Sequence, residues 1–249
     1  MRKAKTKKLF WAFIVWIVGS IAFVHFFVPR LITELRNPLV EFVKSEHLTA
    51  PKETFSESKN DGRTFTFLGY HEDEQSAHIS YSETDTAKAT IILIHGIRGT
   101  KEHFVGLSQK LTAAGYNTIA LDLRAHGESQ GVHCTFGVHE KFDIQSLLDF
   151  ARSDLDIVDN IGVWGQSLGA SVALQALALD ERLQFGIIES TFSDYETIAN
   201  DYVDYFAHAN IETFTNYVVY RSGKIAGFDP YDARPIEKCK EIEQPVLMV

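Results

Sequence analysis

A chain of 249 residues, 45% hydrophobic and 12% aromatic, can bury one substantial core, which excludes a disordered polymer and suits a single α/β domain. The formal net charge of −9 excludes a nucleic-acid binder, because neutralising phosphates takes clustered lysine and arginine. Only Cys134 and Cys239 are present, without C-x-x-C spacing, so neither a zinc site nor a disulfide framework is indicated.

Positive charge collects at the start of the chain. Arg2, Lys3, Lys5, Lys7 and Lys8 make residues 1–8 a basic tail ahead of an uncharged apolar stretch, Leu9 to Val28. Twenty helical residues span roughly 30 Å, the thickness of the hydrocarbon core of a bilayer. Trp11, Trp16, Phe23, Phe26 and Phe27 suit an interfacial belt. Residues 9–28 are therefore expected to be a single transmembrane anchor, with the amino terminus in the cytoplasm and the remainder across the membrane. The rival is a signal peptide cleaved at Ser20-Ile21-Ala22; against it, the apolar run continues for six more residues instead of turning polar. A buried core helix fits poorly, because the run has no polar face.

Residues 29–60 carry Pro38 and Pro51 and weak periodicity, and read as a short helix followed by a linker. From residue 61 to 249 the pattern is that of one domain. Thr64 to Leu68 and His78 to Tyr81 alternate with period two around an acidic turn, as an antiparallel pair would. Thr90 to Ile94 is continuously apolar, as a strand buried on both faces requires, and runs into His95-Gly96-Ile97-Arg98-Gly99. A helix is predicted over Glu102 to Ala114, closed by Gly115, then a strand over Asn117 to Leu121 that ends in Asp122-Leu123-Arg124-Ala125-His126-Gly127-Glu128-Ser129. The next helix is predicted from about Val138 to Ala151, with Phe142, Leu147, Leu148 and Phe150 inward. A strand from Ile161 to Trp164 meets a helix beginning at Leu168 through Gly165-Gln166-Ser167-Leu168-Gly169, and Phe185 to Glu189 is the strand after that. Strands and helices alternating in this way predict a doubly wound, mostly parallel α/β sheet with its reactive groups at the strand carboxyl ends.

Three segments converge there: H-G-x-x-G at His95, D-x-R-x-H-G-x-S at Asp122, and G-x-S-x-G at Gly165. With these motifs in this order, the chain resembles an α/β-hydrolase over about Arg63 to Val249, and more narrowly the serine aminopeptidase-like or BEM46-like branch. Asp229-Pro230-Tyr231-Asp232 and the closing Gln244 to Val249 resemble that family's approach to its next core strand. The resemblance implies Ser167 as a nucleophile on a strand-to-helix elbow, with the backbone N–H groups of Ile97 and Leu168 as oxyanion donors. It also implies a loop-stabilising rather than a basic role for His95. Asp122, Arg124 and His126 are expected to fix their turn by local hydrogen bonds.

A serine hydroxyl needs a histidine to take its proton and a carboxylate to orient that histidine, in the order serine, acid, histidine. In relatives of this kind the acid follows the strand that begins here at Pro245, and the histidine comes one strand later; the last histidine of this sequence is His208. Asp194 and His208 preserve the formal order and are the substitutes available. The more economical expectation is a hydrolase whose acid and base lie beyond Val249, which would leave the Phe185 to Glu189 strand and the Pro245 stub as unprotected edges. Residues 191–227 read as a small helical cap rich in aromatics, including Phe192, Tyr202, Phe206 and Phe214, which suits packing and an apolar or acyl substrate. The expected function is a membrane-anchored serine hydrolase acting on ester, thioester or amide bonds of a small-molecule acyl or peptide-like substrate through an acyl-Ser167 intermediate, with no metal or organic cofactor implied and no nucleic acid as partner. The alternative is a catalytically silent scaffold of the same fold that binds a ligand or partner.

Overall fold

Five consecutive aliphatic and β-branched residues commit Thr90–Ile94 to burial on both faces, and the computed structural model shows how the two faces are covered. Ile92 and Ile94 join the main core, while Ile91 and Leu93 enter a second cluster with Phe104 and Ala120. The neighbouring strands divide in the same way: Ile119 and Leu121 face the main core and Ala120 the other side, and Val163 and Trp164 part likewise. This is the period-two consequence of a strand held between two helical layers.

The structure describes residues 2–36, 54–55, 62–208 and 211–249. Among them, β1 (Arg63–Leu68), β2 (Glu74–Ser80), β3 (Thr90–Ile94), β4 (Asn117–Leu121), β5 (Ile161–Gln166), β6 (Leu183–Glu189) and β7 (Val246–Met248) form one sheet in the order β1-β2-β4-β3-β5-β6-β7. The pairings of β1 with β2 and of β2 with β4 are antiparallel, and all the others are parallel. The chain leaves β3 on one side for β4 and returns on the other side for β5, so the carboxyl ends of β3 and β5 flank the topological switch point. The strand β6 is paired on both sides, by β5 and by β7, so it is not the exposed edge that the sequence led one to expect.

Two helices start differently from expectation, each because a buried carboxylate binds the backbone ahead of it. The Asp122 carboxylate accepts the Lys101 N–H at 2.6 Å, and the chain passes through a tight 3-10 turn, Lys101–Phe104, before α3 (Val105–Ala113) begins. Glu140 accepts from the N–H groups of Thr135 and Gly137 and from the Thr135 hydroxyl, so α4 (Glu140–Asp154) starts two residues late. The inner face of α4 is Ile144, Leu147, Leu148 and Ala151, with Phe142 and Phe150 only half-buried. The helix α5 (Leu168–Leu179) packs on β3, β5 and β6. After β6 come α6 (Tyr195–Ala207) and α7 (Glu212–Ala226), which pack on each other, then the short α8 (Pro235–Lys238) and β7.

At the amino terminus α1 (Arg2–Phe26) is long and apolar enough to cross a membrane, and no side chain from Lys7 to Val28 is buried. Pro29, which has no N–H to donate, marks the break into α2 (Val28–Thr33). Residues 33–36, which follow directly, are held against the body of the fold. Leu35 is in the main core, the Thr33 carbonyl accepts from Cys134 N–H at 2.9 Å, and Arg36 donates to the carbonyls of His126, Gly127 and Ser129. Residues 37–53 and 56–61, the remainder of the expected linker, lie outside the described residues.

Arg124 and Asp143 join the loop after β4 to α4 by two bonds of 2.7 Å, both side chains being buried. Removing one partner strands the other charge away from water. Arg124→Met should therefore cost roughly 3–5 kcal/mol. Adding Asp143→Leu should restore at least half of that loss, as measured by urea unfolding of the detergent-solubilised protein.

Candidate active site

The elbow is built by two close approaches of backbone to backbone. A Cβ on Gly165 would lie 2.2 Å from the Gly169 carbonyl oxygen, and one on Gly169 would lie 2.1 Å from that of Ile94, so no side chain fits at either position. Between them Ser167 takes φ 52° and ψ −113°, a conformation that a non-glycine residue adopts only at a cost of order 1–3 kcal/mol. Its N–H is held by the Glu189 carbonyl at 2.8 Å. In consequence Ser167 is the single exposed residue between Ile161 and Ala178.

The H-G-x-x-G loop reaches the same point from β3: a Cβ built at Gly96 would sit 3.4 Å from the Ser167 Cβ. His95 holds that loop in place. Its Nε2 accepts the Leu123 N–H at 3.1 Å, which leaves Nδ1 protonated to donate to the Gly96 carbonyl at 2.7 Å. Burial first, and the neighbouring His126 second, push its pKa down to about 3, so the ring is neutral and committed to two backbone groups. Asp122 and Lys101 complete the clamp. The Asp122 carboxylate accepts from the Lys101 ammonium at 2.8 Å and from Glu128 N–H at 2.9 Å, and Lys101 also binds Glu128 at 2.7 Å. Burial opposes the Lys101 charge, but the bonds to Asp122 and Glu128 outweigh it and hold the pKa above the ordinary lysine value. His126 turns its Nδ1 to the Arg124 carbonyl.

A cavity of about 1030 Å³ opens over Ser167. Ile97 and Leu168 line it beside the serine, and the Leu168 N–H opens α5, where a helix has no internal acceptor for it. The far walls come from Tyr202, Phe206 and Phe214 of the cap and from Leu31 and Ile32 of α2. The remaining expected pair is not brought together. Asp194 caps the start of α6, accepting from the Thr197 N–H and hydroxyl, while His208 is the exposed left-handed cap at the other end. A helix of 13 residues puts the two roughly 20 Å apart, so Asp194 cannot orient His208 as the acid of a triad does. Although partial burial works against it, the bonds from Thr197 and Ser193 hold the Asp194 carboxyl below its usual pKa, as suits a helix cap.

Other participants were not legible as such. Lys101 sits in a polar Thr-Lys-Glu-His run and reads as solvated. Gln166, the variable residue of the elbow, accepts from His103 Nε2 and donates to Glu189, which also binds the Trp164 indole. Arg98, Ala125, Ser167 and Ser190, which follow β3, β4, β5 and β6, all have positive φ without being glycine. Among the described residues no group of three or more His, Cys, Asp or Glu is gathered to hold a metal ion.

A family model described as the alpha/beta hydrolase fold matches residues 89–222, more than half of the chain. The chain belongs to the α/β-hydrolase fold family. It is similar to the uncharacterized protein YfhR of Escherichia coli, 31% identical over 127 residues that cover 50% of this chain and 44% of that one. It is also similar to the quorum-quenching protein AidA of Acinetobacter baumannii, 30% identical over 129 residues covering 48% and 40%. The chain thus matches less than half the length of these relatives. Among solved structures the Pyrococcus furiosus esterase Pf2001 superposes with a TM-score of 0.61 at 23% identity, over 81% of this chain and 76% of that one, a likeness of fold.

The neutral His95 makes this α/β-hydrolase sensitive to acid. Its unfolded chain takes up a proton near pH 6.5 and the folded one only near 3, so between those values the unfolded state binds more protons and stability falls as pH falls. The slope contributed approaches about 1.4 kcal/mol per pH unit. His95→Gln keeps an acceptor for Leu123 and removes the titration. Urea midpoints measured from pH 6 to 4 should fall less steeply for this variant than for the wild type.

Proposed function

We propose that the chain is a membrane-anchored serine hydrolase cleaving ester, thioester or amide bonds of a small-molecule acyl or peptide-like substrate through an acyl-Ser167 intermediate. The observation that carries the reading is the exposed Ser167 on its strained turn, opening with Ile97 and Leu168 into a largely apolar cavity. In the reaction the Ser167 oxygen bonds to the carbonyl carbon and the leaving group departs with the proton the hydroxyl gives up. Water then splits the acyl-serine, releasing the acid and restoring the hydroxyl. The N–H groups of Ile97 and Leu168 stabilise the oxyanion in both steps, and losing one such donor costs about 2.7–4 kcal/mol of transition-state stabilisation. His95, tied to two backbone groups and neutral, is a positioning residue rather than the base.

One observation favours the second reading, a catalytically silent scaffold of this fold. Asp194 and His208 are held at opposite ends of α6, so neither serves the other. A fluorophosphonate probe separates the readings. The hydrolase should be labelled at Ser167, and Ser167→Ala should abolish labelling by at least a hundredfold with an unchanged urea midpoint, whereas Gly169→Val should lose the fold as well. Absence of labelling in the wild type would leave the scaffold.

For α1 we propose a single-pass anchor, with the amino terminus cytoplasmic and the hydrolase body across the membrane. Support comes from its length, the absence of any buried side chain from Lys7 to Phe26 and the basic residues before it. Alkaline carbonate extraction should leave the chain in the membrane fraction. Release into the supernatant at the mass expected for cleavage after Ala22 would identify the helix as a signal peptide.

A further inference from the structure

The cavity above Ser167 is walled in part by the chain that emerges from the apolar helix α1. Val28, Leu31 and Ile32 of α2 line it, as do Phe214 and Val218 of α7. The helix α2 packs along α7, and the end of α1 touches α7 too, where His25 Nδ1 and the Tyr217 hydroxyl are hydrogen-bonded. The attachment is stiff, because Leu35 is buried in the core and Arg36 binds three carbonyls of the loop after β4. The cap also leaves large aromatic side chains exposed: Tyr205 and the cavity-lining Phe206 on α6 are more than 70% exposed, and Tyr217 and Tyr220 on α7 more than 40%. Tyrosines with an apolar body and a polar tip suit the boundary between lipid and water. Around α1, that boundary is the surface the cap would meet.

We propose that the cavity is an acyl channel walled in part by α2, and that its substrate is a long-chain acyl ester resident in the bilayer, entering sideways past the packed pair α2 and α7. The channel presupposes Ser167 as nucleophile and α1 as anchor, as proposed above. An acyl chain sliding along Leu31 and Phe214 stays in apolar surroundings from the leaflet to the serine. Its headgroup remains at the aromatic rim, and its carbonyl arrives beside Ile97 and Leu168. Each methylene buried is worth about 0.8 kcal/mol, so selectivity should rise roughly fourfold per methylene while the chain is still filling the channel. A water-borne short ester gains none of this.

Full-length protein reconstituted in phosphatidylcholine vesicles tests the channel with p-nitrophenyl palmitate and p-nitrophenyl butyrate. Palmitate placed in the protein's own vesicles should be hydrolysed at least tenfold faster than palmitate supplied in separate vesicles; equal rates would mean entry from water and would overturn lateral entry. Leu31→Trp should lower the palmitate-to-butyrate ratio of kcat/KM at least tenfold, and a ratio within twofold of wild type would remove α2 from the channel. Leu31→Ala, which cannot block the channel, should restore most of the ratio lost to tryptophan. Diazirine-tagged palmitic acid in the same vesicles reads binding without turnover. With Ser167→Ala it should still form adducts on residues 28–36 and 211–218, so failure of the hydrolase reading and failure of the channel are distinguishable. Adducts confined to α1 would reflect lipid contact alone and would sink the proposal.

Discussion

The structure depends on how closely α5 crosses β3. With the Gly169 Cα against the Ile94 carbonyl there is no space for one more carbon atom, and that contact fixes where the helix begins. Because β3 and β5 are adjacent and parallel, fixing the start of α5 also fixes Ser167 beside the H-G-x-x-G loop that leaves β3. The strand order places this junction at the switch point of the sheet, where the connections to β4 and β5 diverge and leave a crevice. The cap then roofs the crevice.

The polar residues of the motifs serve mainly to hold loops rather than to react. Asp122 binds two backbone N–H groups and an ammonium, Glu140 binds two backbone N–H groups and a hydroxyl, and His95 joins two successive strand ends. Buried groups of this kind are tolerated only when fully partnered, since an unpaired charge or donor in the interior costs several times what a bond returns. These bonds tie the loops at the carboxyl edge to the strands and helices beside them. The loops present backbone N–H groups at fixed positions without taking up a side chain for the purpose.

Much of this was legible in the sequence because burial on both faces leaves a strong mark. The strands β3 and β4 match their predicted limits to the residue, and the three ordered motifs located the strand ends that converge. Single charged residues left no such mark: Lys101 and Asp143 are buried and paired, yet in the sequence each looks like a residue of a solvated helix face. The order serine, aspartate, histidine was legible in Ser167, Asp194 and His208, but order along a chain says nothing about the length of the helix between two of them. Residues 29–60 read as a short helix followed by a linker, and the packing of Leu31-Ile32 and Leu35 left no mark because two such short apolar runs have too little periodicity; their partners are on α7 and in the core, far along the chain.

Four loops in succession, after β3, β4, β5 and β6, turn on a non-glycine residue with φ between 52° and 60°. Such a residue is restricted in what may replace it. Glycine, asparagine or aspartate can occupy Arg98, Ala125 and Ser190 with little strain, whereas a valine or isoleucine must bring its branched carbon against its own carbonyl group. Sequence drift along this edge is therefore narrow even at the exposed Arg98 and Ser190, which line the cavity. Branched side chains are thereby kept from these turns, whereas the exposed helical positions of the cap and of α2 carry no such backbone restriction.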